Sequence, residues 1–295
     1  MSELILGTAQ FGAGYGITNT VGHISDSEMA DILDVALHAG IDLFDTAPDY
    51  GEAQERLGGF GGPGVRRRFV SKFALPSTGN VEAGSRELFA PSLSALRVDE
   101  LYGLLFHRVS DLRDSRASQA WESLRRARDA GNVARIGASI YDAADLEIVA
   151  ERFPDLNLIQ VPGNIIDTRL LDHPILRSLH DQGVEVHVRS AYLQGLLLSP
   201  PEKLPAHFDE LRPIVVRLHE AAAEQGTSVM SVVLGFLKNN STVDAVLVGA
   251  TTRSELSDTV TAWQSVPGEA AALELPEVSP DLLDPRLWPA KPVGK

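Results

Sequence analysis

The chain has 295 residues, 44% of them apolar, enough for one large core and far beyond a small stapled domain. With no cysteine, disulfides, thiolate nucleophiles and Cys-based metal sites are excluded, and a formal charge of −14 speaks against nonspecific attraction to nucleic acid or anionic lipid, which needs basic surface. The opening Ser2-Glu3-Leu4-Ile5-Leu6-Gly7 is too short and acidic for a signal peptide and no apolar run approaches membrane-spanning length, so a cytoplasmic protein without nucleic-acid or membrane partners is expected.

Eight short apolar runs read as strands: Leu4 to Thr8, Ile41 to Asp45, Arg68 to Phe73, Leu101 to His107, Ala134 to Ser139, Leu156 to Val161, Val184 to Ser190 and Ala245 to Ala250. Between them lie helical patterns. Asp26 to Ala39 has Ser25 as its cap, Glu28 three residues on, and Met29, Ile32, Leu33 and Ala36 at helical spacing. Val81 to Leu96, Arg116 to Ala130, Ala143 to Arg152, Ile175 to Gln182, Leu211 to Glu224 and Ser228 to Lys238 repeat the theme. Eightfold alternation predicts an α/β protein of the (β/α)₈ TIM-barrel class, with one domain over residues 1–295 and a Pro-rich, irregular tail over 265–295 that wraps the barrel.

Gly59-Phe60-Gly61-Gly62-Pro63-Gly64 spells G-x-G-x-x-G, but it follows a helical segment and leads into a strand, the reverse of a dinucleotide fingerprint, and reads as a loop. The histidines are scattered with no ligand-type spacing, so no metal site is expected.

In parallel α/β folds chemistry sits at the carboxyl ends of strands, where three runs carry a titratable group: Asp45, Lys72 one residue from its run's end, and His107. Tyr50 follows the second run across a tight turn. A tyrosine is a poor acid at neutral pH unless a neighbouring ammonium stabilises its phenolate. Lys72 can do that, Asp45 can hold Lys72 in place, and His107 can place a hydrogen bond on a substrate oxygen. Nothing in this set accepts two electrons, so an outside hydride carrier is implied. Singly, each residue also fits a solvated or capping role.

Asp45-Thr46-Ala47-x-x-Tyr50-Gly51, Ser71-Lys72 and Leu104-Leu105-Phe106-His107 resemble the catalytic tetrad of the aldo-keto reductases. Ile136-Gly137-Ala138-Ser139, Gln160-Val161-Pro162-Gly163-Asn164, Gly195-Leu196-Leu197 and Val248-Gly249-Ala250-Thr251 extend the similarity over nearly the whole chain. The resemblance implies NAD(P)H-dependent reduction of a small-molecule aldehyde or ketone, a sugar-like carbonyl among the options, with Asp45, Tyr50, Lys72 and His107 catalytic and Tyr50 the proton donor. It implies that Ser139 and Gln160 contact the nicotinamide carboxamide, while Asn164 shapes its loop.

Two departures stand out. Ile140 follows Ser139 where the family often has Asn, and Arg189 stands where many members stack an aromatic on the nicotinamide. Parity in Val184-Glu185-Val186-His187-Val188-Arg189 turns Arg189 inward, with Glu185 or His187 expected to compensate its charge. After the last strand, Gly249, Thr251, Arg253, Glu255 and Thr259 fall in the segment that meets the dinucleotide in the family. The resemblance implies NADP(H) as the cofactor, but Glu255 stands at the usual arginine position, so weak discrimination against NAD(H) is expected, with Arg253 the candidate 2′-phosphate ligand. The segment Arg108 to Ser115 and the tail are expected to frame the substrate pocket. The other readings are a non-catalytic cofactor-binding subunit and a dehydrogenase of alcohols or sugars working in the oxidative direction.

Overall fold

Alternation of side chains along a strand sends every second residue to the same face, so a sheet that buries both faces needs apolar residues at nearly every position. Most of the runs above meet that demand, the one from Val184 with its alternating valines and polar residues excepted, and in the computed structural model, which describes residues 2–12, 14–19, 22–61, 65–77, 81, 86–266 and 273–289, all eight form strands. They are β1 (Glu3–Gly7), β2 (Leu43–Asp45), β3 (Arg68–Phe73), β4 (Leu101–Phe106), β5 (Val133–Ser139), β6 (Leu158–Pro162), β7 (Glu185–Arg189) and β8 (Ala245–Gly249). Each pairs in parallel with its sequence neighbour, and β1 also pairs with β8 over five positions from Glu3↔Ala245 to Gly7↔Gly249, which closes the barrel.

The helices in chain order are α1 (Ala9–Gly12), α2 (Asp26–His38), α3 (Ala53–Gly59), α4 (Ala90–Leu96), α5 (Val109–Arg113) and α6 (Ala117–Asp129). There follow α7 (Ala143–Arg152), α8 (Pro174–Asp181), α9 (Arg212–Glu224), α10 (Val229–Lys238), α11 (Arg253–Ser265) and α12 (Pro280–Leu283). Ser25 caps α2 by accepting the Glu28 N–H, Asp142 caps α7, Ser228 caps α10 and Thr252 caps α11, each satisfying an otherwise orphaned donor. Met29, Ile32, Leu33 and Ala36 of α2 are buried as their spacing predicts. Among the described residues no helix is long and apolar enough to cross a membrane.

Three apolar layers result. One lies between sheet and helices and includes Phe44, Phe69, Phe106, Val186 and Val188. A second fills the lumen with Ile5, Leu43, Val70, Leu105, Leu158 and Leu247. A third, around Leu193, Phe208, Leu218 and Leu282, lies under the segment after β7 and is closed by the tail, where Trp288 packs edge-on to Phe208 with ring centroids 4.9 Å apart. Each fully buried Leu or Ile contributes roughly 1.5–3 kcal/mol relative to exposure, so the lumen layer is a rigid floor.

Some sequence expectations are corrected. Val81 to Leu96 is not one helix: Val81 is non-helical, residues 82–85 lie outside the described ones, Arg86–Leu88 is a 3₁₀ turn, and α4 begins only at Ala90. Pro91, at the start of α4, lacks an amide hydrogen and suits the first turn rather than a helix interior. The tail holds α12 and a 3₁₀ turn at Pro285–Leu287, so it is not wholly irregular, while 267–272 and 290–295 lie outside the described residues. Gly59 ends α3, and Gly62, Pro63 and Gly64 of the discarded glycine pattern fall outside the described residues.

Candidate active site

Two residues beyond each lumen-floor position, the next inward-facing residue reaches the carboxyl mouth. Leu43 is thus followed by Asp45, Val70 by Lys72, Leu105 by His107, Leu158 by Gln160 and Leu247 by Gly249. Parity alone therefore delivers four polar side chains and the bare backbone of Gly249 above an apolar floor, where a cavity of about 620 Å³ opens, within the range of small-molecule sites. Asp45, Tyr50, Lys72 and His107 all line it.

Lys72 Nζ donates to Asp45 Oδ1 at 2.6 Å, to the Thr46 carbonyl at 3.2 Å and to Tyr50 Oη at 3.3 Å. Lys72 is 1% exposed and Asp45 3%, so this ion pair is dry. Burial works to lower the Lys72 pKa, but Asp45 and Tyr50 outweigh it and hold the ammonium above its ordinary value, charged at neutral pH. Burial pushes Tyr50 up; the Lys72 cation opposes that without overcoming it, so the phenol is protonated at neutral pH and retains its proton as a donor. His107 Nδ1 lies 3.5 Å from Asp49 Oδ2 and its ring meets Tyr50 edge-on at 5.8 Å. Burial first, then Lys72, lower its pKa to about 4, so it is a neutral imidazole at neutral pH.

Ser139 and Gln160 also line the cavity, but both are buried and already bonded: Ser139 Oγ donates to Gln160 Oε1 at 3.3 Å, and Gln160 Nε2 donates to Asp45 Oδ2 at 2.8 Å. Asn164 bonds to the Ser190 carbonyl and the Ile166 N–H, tying two loops. Arg189 faces the cavity as parity predicts, yet Glu185 and His187 do not compensate it. Glu185, at the other end of β7, is engaged by the Tyr102 hydroxyl at 2.8 Å, Arg135 at 2.5 Å and His187 at 2.6 Å. Arg189 instead donates to the Ile140 carbonyl at 2.7 Å and stacks on Tyr141, its guanidinium carbon 4.0 Å from the ring centroid. Arg286 from the tail covers the same ring at 3.9 Å. Asp284 joins this group: burial works to raise it, but hydrogen bonds from Arg286, with the Arg189 charge adding, hold its carboxyl below the ordinary range.

Gly249 at the end of β8, and Thr251, Glu255 and Thr259 beyond it, also line the cavity. A Cβ at Gly249 would sit 2.3 Å from the Gln10 amide nitrogen, so the bare backbone lets Gln10 reach the wall. Glu255 Oε2 accepts the Thr251 N–H at 2.6 Å and the Thr251 hydroxyl at 2.9 Å, while the Thr259 hydroxyl turns back to the Glu255 carbonyl at 2.9 Å. Arg253 is not part of the lining. Its side chain is 64% exposed, 4.0 Å from Asp31 on α2, and its backbone N–H donates to Glu28.

Several lining residues carried no signal weighed in the sequence. Tyr15 stands between Gly14 and Gly16 after α1, in the connection from β1 to α2, and an aromatic between glycines in a loop on the carboxyl side of a strand is a readable cue. Tyr141 is placed by the clamp of Arg189 and Arg286, which no local pattern announces. Across the cavity Gln194 accepts the Ile17 N–H at 2.9 Å and its carbonyl takes the Thr18 hydroxyl at 2.7 Å. Gly195, at φ +90°, allows this approach, since a Cβ would fall 2.3 Å from Thr18 Oγ1. By contrast Arg108 to Ser115 does not frame the cavity: it winds into α5, Leu112 is buried, and Asp111 caps the Leu75 N–H at 2.7 Å. Among the described residues no group of three or more metal-ligating side chains could hold an ion.

The family model described as the aldo/keto reductase family matches residues 3–273. The chain belongs to that family. Among curated relatives of this aldo-keto reductase, a D-threo-aldose 1-dehydrogenase of a Pseudomonas species is 27% identical, the match covering 94% of each chain. The uncharacterized oxidoreductase YtbE of Bacillus subtilis (strain 168) is 27% identical over 59% of this chain and 62% of its own. An aldo-keto reductase from Bacillus halodurans, solved in a holo form, superposes with a TM-score of 0.71 at 19% identity, over 90% of this chain and 87% of that one, a likeness of fold.

Proposed function

We propose that this aldo-keto reductase interconverts a small carbonyl compound and its alcohol with a nicotinamide dinucleotide, and that Tyr50 is the proton donor in reduction. The carrying observation is the Tyr50 hydroxyl at 3.3 Å from a buried ammonium that is itself pinned at 2.6 Å by Asp45, all on one cavity. Tyr50 gives its proton to the carbonyl oxygen as that oxygen gains charge; Lys72 stabilises the phenolate left behind, and Asp45 keeps Lys72 oriented. His107, neutral and beside Tyr50, donates an N–H to the same oxygen. When bound, the dinucleotide supplies the two-electron donor that these side chains lack.

The residues fit such a group. Ser139 and Gln160 present amide and hydroxyl partners, Arg189 a planar cation backed by Tyr141 and Asp284, and Glu255 a hydrogen-bonding carboxylate. That carboxylate favours NAD(H) over the NADP(H) expected from the family resemblance. Glu255 already occupies the Thr251 donors, accepts ribose hydroxyls readily and repels a phosphate, while Arg253 turns to α2.

The similarity to an aldose dehydrogenase along 94% of the chain favours a second direction, oxidation of a sugar, for which Tyr50 receives the proton. A polar substrate suits a cavity whose wall includes Tyr15, Tyr141 and Gln194. A non-catalytic role is disfavoured by the bonded Asp45, Lys72 and Tyr50 with His107 beside them on one cavity. The test is a panel of aldoses, aldehydes and polyols followed in both directions with NADH and NADPH, for wild type and Tyr50→Phe. Loss of turnover with dinucleotide affinity kept is expected; retained turnover in Tyr50→Phe overturns the assignment.

A further inference from the structure

Strands β2 and β6 are not neighbours in the closed sheet, yet a side-chain bond spans the lumen between them: Gln160 Nε2 to Asp45 Oδ2, 2.8 Å. The carboxylate can only accept, so it fixes which end of the amide faces it, and the amide oxygen is thereby turned to the Ser139 hydroxyl at 3.3 Å. The two Asp45 oxygens have separate partners, Oδ2 the amide and Oδ1 the Lys72 ammonium at 2.6 Å. All three protons of that ammonium are spoken for, by Asp45, the Thr46 carbonyl and Tyr50. An aspartate carboxylate turns in a broad torsional well, and a single partner does not lock it. An anchor on the opposite wall does.

We propose that Gln160 is a positioning residue of the acid–base group: by fixing the Asp45 carboxylate it sets where Lys72 presents its charge to Tyr50, and Ser139 holds Gln160 in turn. The proposal rests on the reading of Tyr50 as proton donor. It does not exhaust the amide, since one N–H and one lone pair of Gln160 remain for a ligand in the cavity. The charged and titratable groups around it are Asp45 from β2, Lys72 from β3 with Tyr50 beyond, His107 after β4, which feels both Asp45 and Lys72, Arg189 of β7 on the same cavity, and His187 at the paired position of β7, whose ring is bonded to Glu185.

Gln160→Glu and Gln160→Met separate positioning from simple occupancy. Losing a hydrogen bond to a charged group lowers kcat of Gln160→Met roughly ten- to hundredfold at every pH, more than it changes dinucleotide affinity. In Gln160→Glu the new carboxylate repels Asp45 at high pH, but once protonated its O–H takes the place of the amide donor. The ratio of its kcat to wild type therefore rises as pH falls from about 8 to 5, the range in which a buried glutamate beside an acid titrates. A ratio flat with pH, with Tyr50→Phe inactive, overturns this proposal alone; an active Tyr50→Phe overturns it together with the acid–base reading. Should the variants fold poorly, melting temperature serves as the readout. The carboxyl introduced by Gln160→Glu has a pKa raised by folding, so the melting deficit of that variant shrinks as pH falls, and adding Asp45→Asn diminishes that pH dependence. A deficit indifferent to both pH and Asp45 also overturns the proposal.

Discussion

Replacing Lys72 by methionine keeps most of the apolar stem and deletes one buried cation. Asp45 would be left 3% exposed with Gln160 as its side-chain donor, and its Oδ1 would lose a 2.6 Å charge-assisted bond. Breaking a buried pair by removing one partner costs about 3–5 kcal/mol, because the stranded charge keeps its desolvation penalty. The surviving Gln160 bond places this variant toward the lower figure, still a large share of the ~5–15 kcal/mol that holds a typical domain folded. Turnover falls as well, by roughly 10²–10⁴ for loss of effective general acid–base catalysis, since only the weaker pull of the Arg189 charge then opposes the burial that raises Tyr50. The decisive comparison is Lys72→Met with Asp45→Asn added, which removes the stranded charge. Urea unfolding, read as a midpoint at constant slope, should recover most of the lost stability in the double variant, while kcat stays as low as in Lys72→Met. A single variant less than about 1 kcal/mol destabilised would refute the dry ion pair. A double variant that regains turnover would refute the need for an ammonium beside Tyr50.

Other outcomes follow from neighbouring groups. Glu255→Gln removes the charge that opposes a phosphate and keeps acceptor capacity toward Thr251; titration should show NADPH affinity rising relative to NADH, whereas Arg253→Ala, which alters a residue facing Asp31, should leave that ratio unchanged. His107 titrates at about 4 folded against an ordinary 6.5, so below that upper value the unfolded chain takes up a proton that the folded one refuses. Stability is therefore full above the upper value and is lost as pH falls toward the lower, by at most roughly 3 kcal/mol. In His107→Asn, denaturant midpoints measured across that window should fall less steeply with acid, and an unchanged slope would show that other groups carry it.

Much of this was legible because barrels translate residue parity into place. Asp45, Lys72 and His107 each stand two positions beyond a buried lumen residue, and that pattern can be counted along the chain. Boundaries were less legible. Ile41 and Asp42 look like strand, yet β2 starts at Leu43, where its register with Arg68 of β3 begins, and the Asp42 side chain is turned to Arg68 at 2.5 Å. Contacts made across the lumen left no local trace: Gln160 is 115 positions from Asp45, and its amide reads equally well as a ligand contact or a brace. The placement of Arg253 escapes sequence reading for a similar reason. A residue at the first turn of α11 points along the helix surface that packs on α2, and only the packing angle decides whether it sees the cavity or Asp31. The clamp of Arg189 and Arg286 on Tyr141 joins residues from three distant segments, each unremarkable in its own sequence window.

The five-position pairing of β1 with β8 has a consequence for how this molecule is made. Every proposed acid–base group, from Asp45 to His107, is synthesised within the first 107 of 295 residues, but the sheet that gives them a common mouth cannot close until residues 245–249 arrive to meet residues 3–7. Until then the amino-terminal strand is an open edge with unpaired backbone, carried through most of synthesis. Pairings of such sequence separation form slowly and reward the chain only at the end. Competence to react is thus acquired late and in one step, and a nascent or truncated chain that already contains Tyr50 and Lys72 has the chemistry spelled out without a place in which to perform it.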